Sequence, residues 1–140
     1  MAAASKSSRR LKTMRPILEE EFHHDGRGPE LQRVIWGRST PLAFEYFNPE
    51  DEYTDDEIKH IRLVDVGAFA SAGEEVHGGM VTTPGSKAAI HDCGQSDWLR
   101  SFNPRHLASC SHFQIMFYDE IFDVICREIL PGAGTYPDET

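Results

Sequence analysis

Bases are scarce beyond the start of this chain. The first fifteen residues carry Lys6, Arg9, Arg10, Lys12 and Arg15 and no acid. The rest holds nine bases against 23 acids, a body near −14 beneath a formal charge of −9. Such a body repels phosphate backbones and anionic membranes, so nucleic-acid binding through the folded part is not expected. Long apolar runs are also missing. None approaches the ~20 residues of a membrane helix, and the start lacks the apolar stretch of a secretory signal. Cysteine is sparse, with only Cys93, Cys110 and Cys126 at irregular spacing. That odd number argues against a disulfide scaffold and for reduced thiols in a cytoplasmic protein. There is no internal repeat, and no phosphate-loop fingerprint completes around Gly26-x-Gly28, Gly78-Gly79 or Gly132-x-Gly134.

What remains is one domain's worth of chain. Residues 1–15 are small, polar and basic, and read as a disordered tail; an organelle-targeting peptide and a translation start at Met14 are the alternatives. Residues 16–30 read as a poorly ordered acidic lead-in that dissolves into a Gly/Pro turn. The core is expected over 31–130, followed by a C-terminal tail over 131–140 that Pro131-Gly132 begins.

Within 31–130 the pattern is mainly period two. Leu31–Trp36 and Leu42–Phe47 read as strands, and Ile58–Ala70 has strand character with a bulge at Gly67. Met80–Thr83 and an edge strand over Lys87–His91 follow. Ser96 or Asp97 caps a short helix through Phe102, and Asn103-Pro104 starts another turn. Residues 112–130 are rich in β-branched and aromatic side chains, which favours a hairpin; the rival is a helix over 119–130 with Glu120, Asp123 and Arg127 on one face. The fold class expected is α+β: one mostly antiparallel sheet of about five or six strands with one or two short helices.

Two constellations bear on chemistry. His91-x-Cys93 and Cys110-x-His112 are mirror spacings, and in strands each pair shares a face, so His91, Cys93, Cys110 and His112 form a candidate zinc quartet. Zinc is the only cofactor the sequence brings into view, and the usual two-to-four-residue metal knuckle is absent. The same thiols are candidate nucleophiles, Cys93 with His91 and Asp92 or Asp97, Cys110 with His106 and His112. His23-His24-Asp25 lies in expected coil, where no rigid support orients ligands. A calcium loop starting at Asp51 fails, because Asp56 stands where glycine is needed and Arg62 where glutamate is needed. No bases interleave with the aromatics as a nucleic-acid platform requires.

The acids themselves point to binding. Glu50–Glu57 holds six acids and no base, and a second group lies near the hairpin turn. Glu50, Asp51, Glu52, Asp55, Asp56, Glu57, Asp119, Glu120 and Asp123 are therefore the candidate contacts for a basic protein partner, in the manner of an immunity or antitoxin-like inhibitor. The alternative is a small thiol- or metal-dependent enzyme using the Cys and His residues between 91 and 112.

Overall fold

The computed structural model describes residues 14–77 and 83–137; the expected tail over 1–13, most of the expected strand at Met80–Thr83, and 138–140 lie outside them. The strands are β1 (Arg15–Ile17), β2 (Glu30–Trp36), β3 (Pro41–Phe47), β4 (Lys59–Val64), β5 (Ala68–Gly73), β6 (Ile90–Gly94), β7 (Ser111–Met116), β8 (Glu120–Cys126) and β9 (Glu128–Ala133). They form two antiparallel sheets, ordered β1-β6-β7-β8-β5 and β2-β3-β4-β9. The expectation of one sheet is thereby corrected: the strands are antiparallel, but among the described residues nine of them divide between two sheets. Period-two alternation says which side chains share a face; it does not say which sheet a strand joins.

Phe44 and Tyr46 of β3 and Ile61 and Leu63 of β4 meet Phe113 and Ile115 of β7 and Phe122, Val124 and Cys126 of β8 in one buried cluster. These are alternate residues on each strand, so the pleat itself supplies the apolar faces. Edge-on aromatic contacts knit them, with Phe44 and Phe117 centroids 5.3 Å apart.

The chain passes between the sheets at a paired corner. Between β4 and β5 it turns over Asp65–Gly67, and between β8 and β9 it returns at Arg127. The Arg127 N–H donates to the Val64 carbonyl and the Gly67 N–H to the Ile125 carbonyl, both at 2.8 Å. The β4–β9 pairing (Val64 opposite Glu128) thus runs on into the β5–β8 pairing (Ala68 opposite Ile125). What reads as one strand with a bulge over Ile58–Ala70 is two strands either side of a corner.

The helical content is slight. One turn, α1 (Asp97–Arg100), and two 3₁₀ turns at Asp55–Glu57 and Pro104–His106 are the helical elements among the described residues. Both expected caps are present: the Ser96 hydroxyl accepts the Leu99 N–H at 3.2 Å, and the Asn103 side chain accepts the Arg105 N–H at 3.0 Å. The excursion carrying these turns lays Leu99, Leu107 and Cys110 over Ile125 on the outer face of the five-stranded sheet, making a second small core. Among the described residues no helix is long and apolar enough to cross a membrane.

Three further expectations change. The lead-in is not loosely packed: Phe22 is fully buried, its ring 4.7 Å from Tyr46, and Ile17 pairs with Ile90. A single aromatic among acids was too little pattern to read as core, yet it fills the space between the sheets. The strand near Lys87–His91 is not an edge, because β1 covers β6. The C-terminal tail begins later than Pro131, since β9 continues to Ala133 on the edge of its sheet, where a missing N–H is tolerated.

Phe22→Ala is expected to cost about 3–5 kcal/mol in urea unfolding, as a large buried ring leaves a cavity. A loss below about 1 kcal/mol would mean that the lead-in does not contribute to the core.

Candidate functional site

On the outer face of the five-stranded sheet, four polar side chains join in a line. Asp123 of β8 receives His112 Nε2 on Oδ1 at 2.7 Å and His77 Nε2 on Oδ2 at 2.9 Å. His112 Nδ1 lies 2.8 Å from the Ser96 hydroxyl. A carboxylate only accepts, so both imidazole nitrogens facing Asp123 carry protons. Burial pushes the Asp123 carboxyl up, but the hydrogen bonds from His112 and then His77 outweigh it and hold the group below the usual carboxylate range.

This Ser–His–Asp order is that of a nucleophilic relay. Ser96, however, is the cap of α1 and already accepts the Leu99 N–H, while the Trp98 ring stands edge-on to His112 at 5.1 Å. The line therefore fastens the turn before residue 78 and the α1 excursion to the sheet. The sequence does not show this line because its members read as separate features: Ser96 as a cap, His112 as a metal ligand, Asp123 as a surface acid, and His77 as part of no pattern. The hairpin alternation was the available signal, since Gln114 opposite Asp123 puts His112 one diagonal step away on the same face.

The zinc quartet is not gathered. β6 and β7 do lie side by side, with Gly94 opposite His112. His91 is buried and shares a hydrogen bond with Thr83 at 2.9 Å; burial, then the nearby His24, pushes its imidazole down. Cys93 points its sulfur to the His91 carbonyl, Cys110 to the Asp65 carbonyl, and His112 is taken by Asp123. Among the described residues no group of three or more His, Cys, Asp or Glu is arranged to hold a metal ion.

All three thiols are buried. Burial pushes Cys93 and Cys126 up to about 12 and raises Cys110 as well, so each stays protonated near neutrality, whereas a nucleophile needs the thiolate.

The acidic stretch sorts into structural and outward groups. Asp51 is nearly buried, accepting the Asn48 N–H at 2.8 Å and Lys59 Nζ at 2.7 Å. Glu57 accepts the Glu52 N–H, and Glu50 takes His23 Nε2 at 2.9 Å. Glu52, Asp55 and Asp56 face solvent. In the second group Asp119 is exposed, Glu120 is half-buried at the start of β8, and Asp123 is committed to its two histidines rather than to a surface.

Both acidic stretches contact the same short segment. The Tyr118 N–H donates to the Pro29 carbonyl at 2.8 Å, and Arg27 lies over the Tyr118 ring at 5.2 Å. One residue on, Glu30 accepts the Tyr53 hydroxyl at 3.0 Å. Tyr53 and Tyr118 are 49% and 39% exposed, two aromatic surfaces among carboxylates. Glu50 of the same loop also lines a cleft of about 720 Å³, with Glu19, Glu20, His23, His24, Asp25 and Lys87. The His-His-Asp triplet thus belongs to this acidic end, with His23 clamped between Glu50 and the Glu19 carbonyl.

The fold and these sites define a two-sheet antiparallel β protein with an acidic, tyrosine-bearing end. Comparison with family models, curated proteins and solved structures finds no match for the chain.

Replacing Asp123 with Asn is expected to cost about 1–3 kcal/mol at pH 7. The native carboxyl lies below its unfolded value, so its contribution is present above about pH 4 and is lost as pH falls through the folded value. Urea unfolding of both proteins at pH 7 and 3 checks this; a gap of equal size at both would remove the carboxylate's charge from the account. For the thiols, iodoacetamide at pH 7.5 is expected to modify Cys93, Cys110 and Cys126 only after denaturation. Modification of any of them in the native state at a free-thiol rate would contradict their burial.

Proposed function

We propose that the protein is a binding module whose acidic end docks a basic protein partner, in the manner of an immunity or antitoxin-like inhibitor. The observation that carries this reading is the meeting of the Glu50–Glu57 loop and the Tyr118–Asp119 turn on the 27–30 segment. It brings outward carboxylates beside two half-exposed tyrosines and Arg27, and aromatic and Arg residues dominate the energetics of interfaces. Carboxylates around them steer a cationic partner and set its orientation. Among the candidate contacts, Glu50, Glu52, Asp55, Asp56 and Asp119 serve this role; Asp51 and Glu57 shape the loop, Glu120 is half-buried at the start of β8, and Asp123 lies elsewhere. The thiol or metal enzyme considered from the sequence gains nothing from the geometry of Cys93, Cys110 and their histidines.

The test uses the purified full chain as bait in extracts of its own cells, alongside two variants. One carries Glu52→Lys, Asp55→Lys and Asp56→Lys together; the other is Tyr53→Asn, which removes the ring but suits the left-handed backbone there. The wild type is expected to retain a basic protein whose affinity falls at least about tenfold between low and high salt. Both variants are expected to lose it while keeping the wild-type circular dichroism. Equal retention by the charge-reversed variant, or salt-independent binding, would overturn the proposal.

A further inference from the structure

The paired corner between the sheets opens a second cleft, of about 540 Å³, and its charge is the reverse of the rest of the body. Arg105, His106 and Arg127 line it, with Asp65 as its one acid. Two of the nine bases beyond residue 15 therefore meet at one place in a body that holds 23 acids.

We propose that this corner cleft binds a small phosphorylated molecule through its phosphate group. Three features favour that chemistry. Arg105 is presented by a built turn: Asn103 caps its N–H, Pro104 begins the 3₁₀ turn, and its guanidinium has no partner among the described residues. Arg127 is anchored through its backbone to Val64, while its side chain is half-exposed and held, among the described residues, by one 3.3 Å contact to Asp65. The backbone N–H groups of Ala108 and Ser109, both exposed, donate to no acceptor among the described residues and border the same cleft. Two guanidinium forks and main-chain donors suit a tetrahedral dianion with several acceptor oxygens better than a planar monoanion.

Asp65 gives the proposal a sign. Its carboxylate competes with the ligand for Arg127, and its backbone is left-handed at φ 56°. Asparagine tolerates that conformation, so Asp65→Asn removes the competitor without new strain. Phosphate binding should therefore tighten in this variant, where a site of merely incidental basic residues would give no such ordering.

Titration of the full chain with inorganic phosphate and with glycerol phosphate, followed by amide NMR, tests this. Saturable shifts are expected at Arg105, Ala108, Ser109 and Arg127, at low-millimolar ligand or below. Arg105→Ala and Arg127→Ala should each weaken binding about tenfold, and Asp65→Asn should strengthen it severalfold. A stronger response to glycerol phosphate identifies an organic phosphate ester as the ligand class, and equal responses identify free phosphate. Shifts that fail to saturate, that acetate reproduces at equal concentration, or that survive Arg105→Ala would overturn the site. Both arginine side chains are exposed, and matching urea midpoints will show that their removal leaves the fold intact.

Discussion

The ladder that bends without breaking at Val64–Gly67 and Ile125–Glu128 is the constraint on which the rest of the molecule depends. Two backbone hydrogen bonds carry the pairing through the corner, so β4–β9 and β5–β8 are halves of one ribbon serving two sheets. Asp65 supplies the left-handed residue the turn needs, and Gly67 the clearance: a Cβ there would meet Leu107 Cδ2 at 2.6 Å. Once the ribbon folds over, the alternate faces of both sheets confront one another, and the core follows from the pleat. The same bend brings the loop carrying Arg105 against Arg127, so the basic cleft is a product of the corner.

How much of this was legible depends on range. The hairpin of β7 and β8 could be read, because alternation and β-branched content agree over a local stretch. The division into two sheets could not, since a strand entering either sheet shows the same alternation. Phe22 illustrates a second limit. One aromatic flanked by Glu21 and His23 has no period at all, and its burial depends on Phe117 and Tyr46, which are far away in sequence.

Charge was legible as a total and not as a role. Glu45 lies inside β3 and reads as a solvent-facing position, but it is 3% exposed, held by two hydrogen bonds from Arg33 and one from the Tyr136 N–H. Asp51 and Asp123 are likewise consumed within the fold. Buried carboxylates must be matched by donors. Those of Glu45 and Asp123 come from other strands and loops, while Asp51 takes its own from Asn48 and Lys59 nearby. Of the acids on the 50–57 loop and the hairpin turn, Glu52, Asp55, Asp56 and Asp119 are left facing solvent. That sorting reduces a long list of acids at this end to a few outward carboxylates.

Backbone strain separates that end from an ordinary solvated surface. Among the described residues three non-glycines adopt left-handed conformations, Leu18, Tyr53 and Asp65, at φ 54°, 60° and 56°. Aspartate accommodates this readily; leucine and tyrosine do so at a cost of order 1–3 kcal/mol. At Leu18 the compensation is evident, because the turn it makes lets the Phe22 N–H bond back to its carbonyl and sends the Phe22 ring into the core. Tyr53 buries no comparable surface. Its ring stacks on Phe47 at 4.8 Å and its hydroxyl reaches Glu30, yet half the residue stays in solvent. A strained, fixed and exposed aromatic ring amid free carboxylates has lost its rotamer freedom before any partner arrives, which lowers the entropy cost of docking on it.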